Sequence, residues 1–264
     1  MQGRLSPMYR NRIQSFPWND WQNEFKLANE LNLSQMEWTI DSYKFLENPM
    51  LMDSGRKEIL SLVNEFGVRI PSVTCDYFME NPFWKGNKTE VLRNLGTIIS
   101  SMPQFGAHLL VIPLVDNSSI SNNENDVLVF FSKLFDSIVE NEITIAFELD
   151  LNPKSALRFI DRFDSEYFGI NYDIGNSASL GFDPGEEIAR YGHRIINVHV
   201  KDRILGGTTV PLGEGDADFG KTFNLLNNLN YRGNYILQTA RPSDGNDFEA
   251  IRKYTAFTRA FIGK

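Results

Sequence analysis

The sequence holds one cysteine, Cys75, so no internal disulfide can form and a reducing compartment is expected. No apolar run approaches the ~20 residues that a membrane span requires. The opening residues, MQGRLSPMYR, contain no apolar signal-peptide stretch. Positive charge is in deficit: 26 Lys and Arg stand against 34 Asp and Glu, giving a formal net charge of −8. That balance argues against a general binder of the nucleic-acid backbone. No Ser-, Gly- or Pro-rich linker divides the chain, no repeat is evident, and no G-x-G-x-x-G follows a strand pattern, so a dinucleotide-binding open sheet is the weaker reading. Soluble, cytoplasmic protein with no nucleic-acid or membrane partner is the expectation; a homo-oligomer stays open.

What is present alternates. Residues 195–202 read IINVHVKD, with Val198 and Val200 on one side of a strand and Asn197, His199 and Lys201 on the other. Further strands are expected at 34–40, 68–75, 109–115, 143–149, 168–173 and 234–238. Helical spacing is expected at 18–31, 53–66, 90–105, 126–141, 153–163, 184–191, 218–229 and 248–261. Pro103 should end the third of these early. The opening MQGRL looks like the end of a strand entering a turn at Ser6-Pro7. With Met1 to Leu5 as the eighth strand, units of about 30 residues repeat eight times. The expected architecture is one (β/α)8 barrel spanning residues 1–264, with a shortened first strand. The stub suggests a natural start upstream of Met1.

In such a barrel the strand C-termini converge on one mouth. Glu37, Asp76, Glu148, Asp173, His199 and Gln238 stand at those ends. The last four offer O, O, N and O ligands to one divalent cation, zinc, manganese or magnesium. A hydrogen-bonded polar plug is the alternative. Thr144, Ala146, Gly169 and Asn171 lie below on the inward faces, where a purely structural core favours branched apolar residues.

These residues also carry a resemblance. Glu148 in EL, Asp173 in YDIGN, His199 in NVHVKD, and the later PLGEGDADF resemble the xylose-isomerase-like barrels of sugar and sugar-phosphate isomerases and epimerases. The MQGRLSP opening is similar to one branch linked to surface-polysaccharide sugar metabolism. The resemblance implies a metal held by Glu148, Asp173, His199 and the strand-eight residue, which the family supplies as glutamate and this chain as Gln238. An amide offers an oxygen to a metal but accepts no proton near neutral pH. Isomerisation, which needs one base, therefore becomes the easier reaction to retain, through an enediolate with Glu148 as base. Lys201 is placed to neutralise the developing oxyanion or to form a structural ion pair.

Glu37 and Asp76 are expected to touch substrate. Arg4, Arg203 and Arg241, just beyond candidate strands, suit a sugar phosphate. Trp38, Tyr77 and Phe78 are offered as an apolar wall for the sugar. A metal-dependent abasic-site endonuclease shares LGEG but requires further His and Asp ligands; Asn176 and GGTTVP stand where they are needed. A non-catalytic sugar-binding barrel and a polyol-ketone dehydratase remain the alternatives.

Overall fold

The computed structural model describes residues 1–262. Six parallel strands pair in chain order: β1 (Gln35–Ile40), β2 (Arg69–Cys75), β3 (Leu109–Leu114), β4 (Thr144–Leu149), β5 (Phe168–Asp173) and β6 (Ile195–Val200). A short antiparallel hairpin follows, β7 (Asp202–Arg203) with β8 (Thr209–Val210), and β9 (Asn234–Leu237) then adds to β6 as the seventh parallel strand. The result is a nearly closed parallel barrel with helices between its strands. The N-terminus completes the ring with a single parallel bridge, Gln2 to Glu37. Glu37 N–H donates to the Met1 carbonyl at 2.8 Å, and Gln2 N–H to the Leu237 carbonyl at 3.1 Å. The shortened first strand is thus reduced to one bridging residue. The Gln2 side chain is fully buried and neither amide atom has a hydrogen-bond partner among the described residues. Each such group costs on the order of 1–3 kcal/mol.

Helices fill the connections: α1 (Asn23–Glu30), α2 (Asp53–Phe66), α3 (Asp76–Glu80), α4 (Lys88–Ser101), α5 (Glu124–Ser132), α6 (Phe135–Glu140), α7 (Pro153–Ile160), α8 (Ile174–Leu180), α9 (Pro184–Tyr191), α10 (Phe219–Asn228) and α11 (Asp247–Arg259). Their ends follow local chemistry. Asn152, Asp183 and Asp218 cap α7, α9 and α10 by accepting the backbone N–H three residues on. Proline opens α7 and α9, where its missing N–H costs nothing. Gly67, at φ +68°, ends α2 in the left-handed region. Pro103 closes α4 at Ser101, and the remaining turn, Met102–Phe105, is 3-10. The helix expected over 126–141 is two pieces, α5 and α6. Among the described residues, no helix is long and apolar enough to cross a membrane.

The strands' outward rows make the core. Phe147 is fully buried and packs against Phe131, Phe159, Phe163 and Phe168. Burying one such ring contributes about 1.5–3 kcal/mol. Trp38 and Phe78 belong here and not to a sugar wall. Trp38 meets Phe16 and Trp21, and Phe78 meets Phe83 and Phe130. Tyr77 is also buried, with its hydroxyl held by Asn94 at 2.7 Å. The inward row is polar instead: Glu37, Ser72, Thr74, Asn171, Asn197 and His199 are all buried there.

Candidate active site

His199 lies at the centre of the inward row and is wholly buried. Its Nε2 is 2.8 Å from Glu37 Oε1. Glu37 is itself held by Thr74 Oγ1, which donates to Oε1, and by Ser72 Oγ, which donates to Oε2 at 2.8 Å. The other ring nitrogen, Nδ1, faces Glu148 Oε2 at 3.2 Å and Asp173 Oδ2 at 4.0 Å. Asn171 Nδ2 donates to Glu148 Oε2 at 2.8 Å, and Asn176 Nδ2 donates to Glu148 Oε1 at 2.6 Å. Asp173 caps α8 by accepting from Asn176 N–H at 2.8 Å, which fixes its carboxylate at the strand end. Its Oδ2 accepts from Lys201 Nζ at 3.1 Å, and the same ammonium donates to Gln238 Oε1 at 2.8 Å. Gly175 permits this: a Cβ there would stand 2.8 Å from Lys201 Cγ and 2.9 Å from its carbonyl carbon.

The charges follow from these contacts. Burial opposes a proton on His199, but the carboxylates of Glu37 and Glu148 outweigh it and hold the imidazole up at about 10. Burial likewise opposes ionisation of Glu148, yet His199, Lys201 and Asn171 leave it below the ordinary glutamate value. Asp173 is raised, chiefly by burial, against the pull of Lys201.

One donor atom each from Glu148, Asp173 and His199 lie within 4.8 Å of one another. Two carboxylates and an imidazole Nδ1 whose far nitrogen is anchored on a carboxylate fit a divalent ion. Gln238 stands at their edge with its oxygen turned to Lys201. The sequence-level candidates thus fall into four groups. Glu148, Asp173, His199, Lys201 and Gln238 come together. Glu37 lies beneath them and contacts His199.

The third group surrounds a cavity of about 380 Å³ that opens above the cluster. Asp76, Glu148, Asn176, Lys201, Arg203 and Gln238 line it, together with Ile13, Gln14, Thr208 and Thr209. Asp76 is buried, and its Oδ1 accepts from Gln14 Nε2 at 2.9 Å. Arg203 reaches the cavity while donating to Asn176 Oδ1 at 2.9 Å and to the Gly207 carbonyl. Arg4 and Arg241 are not among the lining residues. Arg4 donates to the carbonyls of Gln2 and Thr239, while Arg241 donates to those of Gly3 and Ser6 and pairs with Asp247 at 3.1 Å. They tie down the N-terminal segment that closes the ring.

The PLGEGDADF stretch has a different task. Asp202 accepts from the backbone N–H groups of Gly213, Gly215 and Ala217 at 2.8, 2.9 and 3.2 Å. A Cβ at Gly215 would stand 2.2 Å from Asp202 Oδ1, so only glycine allows the loop to wrap this carboxylate. Asn176 and Gln14 were not selected from sequence as site residues. Asn176 carries a readable signal, since it sits three positions beyond an aspartate at a strand end, in the first turn of a helix. Gln14 carries none, because its contact is 62 residues away.

The xylose isomerase-like TIM barrel family matches residues 25–260. The L-ribulose-5-phosphate 3-epimerase UlaE of Salmonella heidelberg strain SL476 is 27% identical over 258 residues, covering 91% of this chain and 89% of that protein. Two solved structures share the fold. A D-allulose 3-epimerase from Methylomonas sp. in complex with D-allulose has 13% identity and a TM-score of 0.66, with 90% of each chain covered. The IolI protein with a bound zinc atom has 11% identity and a TM-score of 0.76, covering 100% of this chain and 99% of that one.

Proposed function

The chain belongs to the xylose isomerase-like TIM barrel family, and on that premise we propose that it is a divalent-metal-dependent 3-epimerase of a ketose or ketose phosphate. The observation that carries this reading is the buried Glu148–Asp173–His199 cluster, whose Glu148 lines the mouth cavity. Similarity to L-ribulose-5-phosphate 3-epimerases supports epimerisation over the aldose–ketose isomerisation that Gln238 suggests from sequence.

Glu148, Asp173 and His199 would hold the ion, with Gln238 beside it. When bound, a divalent ion polarises the substrate carbonyl and stabilises the enediolate. Glu148 removes the proton from the carbon next to that carbonyl. Its carboxylate is oriented for this by Asn171 and Asn176. Glu37 keeps the His199 ring fixed. Lys201, whose ammonium bridges Asp173 and Gln238, lies where it counters negative charge developing on substrate oxygen. Lys201 and Arg203 are the cations on the cavity wall, and they favour a phosphorylated ketose.

Turnover tests the reading. L-ribulose 5-phosphate and D-allulose are supplied to protein stripped with chelator and then reloaded with Zn, Mn or Mg, and the C3 epimer is followed by NMR. Epimer formation that returns with metal supports it. Ligand binding without turnover under any metal would replace it with a sugar-binding barrel.

A further inference from the structure

Inverting a carbon requires a proton to leave one face and another to arrive on the opposite face, so one carboxylate is insufficient. Several groups near Glu148 are ruled out by their contacts. Gln238 does not titrate. The Lys201 ammonium is fixed between Asp173 and Gln238. Glu37 lies below His199, held by Ser72 and Thr74, and does not line the cavity. Three carboxyl groups do line it: Glu148, Asp116 and Asp76. Asp116 is exposed, at the start of a short 3-10 turn. Asp76 is 4% exposed, at the end of β2, on the wall that Ile13, Gln14 and Met79 complete.

We infer that Asp76 is the second proton-transfer group of this site, delivering a proton to the substrate carbon from the β2 wall. The inference rests on the epimerase reading. Burial raises the Asp76 carboxyl to about 8, helped by the like charges of Asp41, Glu80 and Glu148 and opposed by the Gln14 hydrogen bond. Arg4 and Arg12 also feel its charge. It therefore carries a proton at neutral pH, as an acid in this position must. Gln14, donating to Oδ1, is the positioning residue.

The step balances. Glu148 carboxylate takes the C3 proton and becomes a carboxylic acid, and the C–H electron pair passes into the enediolate. The Asp76 O–H bond then breaks, its proton forms the new C3–H bond on the opposite face, and Asp76 is left as carboxylate. Proton exchange with solvent, or turnover in reverse, restores both groups. In reverse, Asp76 is the base.

The test follows deuterium at C3 in deuterated water. Metal-loaded wild type and Asp76→Asn are given L-ribulose 5-phosphate and, separately, its C3 epimer; D-allulose and its C3 epimer serve as a second pair. Asp76→Asn should lose at least about 100-fold in epimer formation. It should keep washout within a few-fold for the one epimer whose C3 proton faces Glu148, and lose it for the other. Asp76→Glu should recover part of the epimerisation. An unchanged metal content and a single cooperative melting transition at or above the wild-type temperature keep misfolding apart from chemistry. Equal epimerisation by Asp76→Asn, or equal loss of washout from both epimers, would overturn the assignment. If wild type exchanges no C3 proton, the epimerase reading fails and takes this inference with it; if wild type exchanges and Asp76→Asn epimerises normally, the assignment alone fails.

Discussion

On the β4–β6 wall of the mouth the charged atoms meet partners of opposite sign. Glu148 and Asp173 face His199, Lys201 bridges Asp173 and Gln238, and Glu37 anchors the imidazole from below. On the β2 wall Asp76 meets like charges and a neutral amide, and burial leaves it protonated at neutrality. Two carboxyls thus share one cavity, one held ionised by its neighbours and the other held neutral by its own. Opposed environments of this kind suit one group for taking a proton and the other for giving it.

The largest expected effect comes from breaking the charged wall. Glu148→Gln should lower C3 exchange and epimerisation by about 10³-fold or more, because base and metal ligand go together. Glu37→Gln acts one layer deeper. It keeps a hydrogen-bonding partner on His199 Nε2 but removes the charge, and chelator competition should show metal affinity reduced by about 10–100-fold. Gln238→Glu sharpens the contrast by returning a charge to the cluster's edge. Calorimetric titration should show the ion bound about tenfold more tightly, on the order of 1.4 kcal/mol. The same change in Asp76→Asn should restore some epimerisation through a second carboxylate.

The smallest effect is a pH dependence of stability. Asp76 ordinarily titrates near 3.8 and in the fold near 8. Folding therefore favours its protonated form. The stability this group contributes is complete below the unfolded value and is lost as pH rises toward the folded one. Asp76→Asn does not titrate. From pH 6 to 7 the wild type should lose up to about 1.4 kcal/mol relative to the variant, a Tm difference of roughly 2–4 °C. At pH 9 the variant should melt higher, and near pH 4 the gap should close.

Much of the architecture is legible because both of its periods are. Alternation placed Asn197 and His199 on one side of β6, with Lys201 just beyond its end. The mouth cluster is legible because its members share a position, the strand end, and not a spacing. What escaped depends on distance along the chain or on an element too short to have a period. A short closing strand was expected at Met1 to Leu5, but not that it shrinks to one bridge at Gln2. The five-residue α3 and the seven-residue α8 leave little pattern, yet Asp76 opens the first and Asp173 caps the second. The fate of the arginines was equally hidden. Arg4 and Arg241 look like phosphate ligands from their strand-end positions, but carbonyls of the N-terminal segment occupy them. Glu37 has an inward strand position, and nothing in sequence says that it meets an imidazole 162 residues away.

On the proposed function, a metal held by Glu148, Asp173 and His199 would act with the Glu148 carboxylate to labilise one substrate proton. Proton NMR of L-ribulose 5-phosphate in deuterated water, with stripped, metal-reloaded and metal-reloaded Glu148→Gln protein, measures it most directly. Loss of the C3 signal is expected with reloaded wild type alone. Persistence of that signal with reloaded wild type, or its loss with stripped protein or with Glu148→Gln, would contradict it.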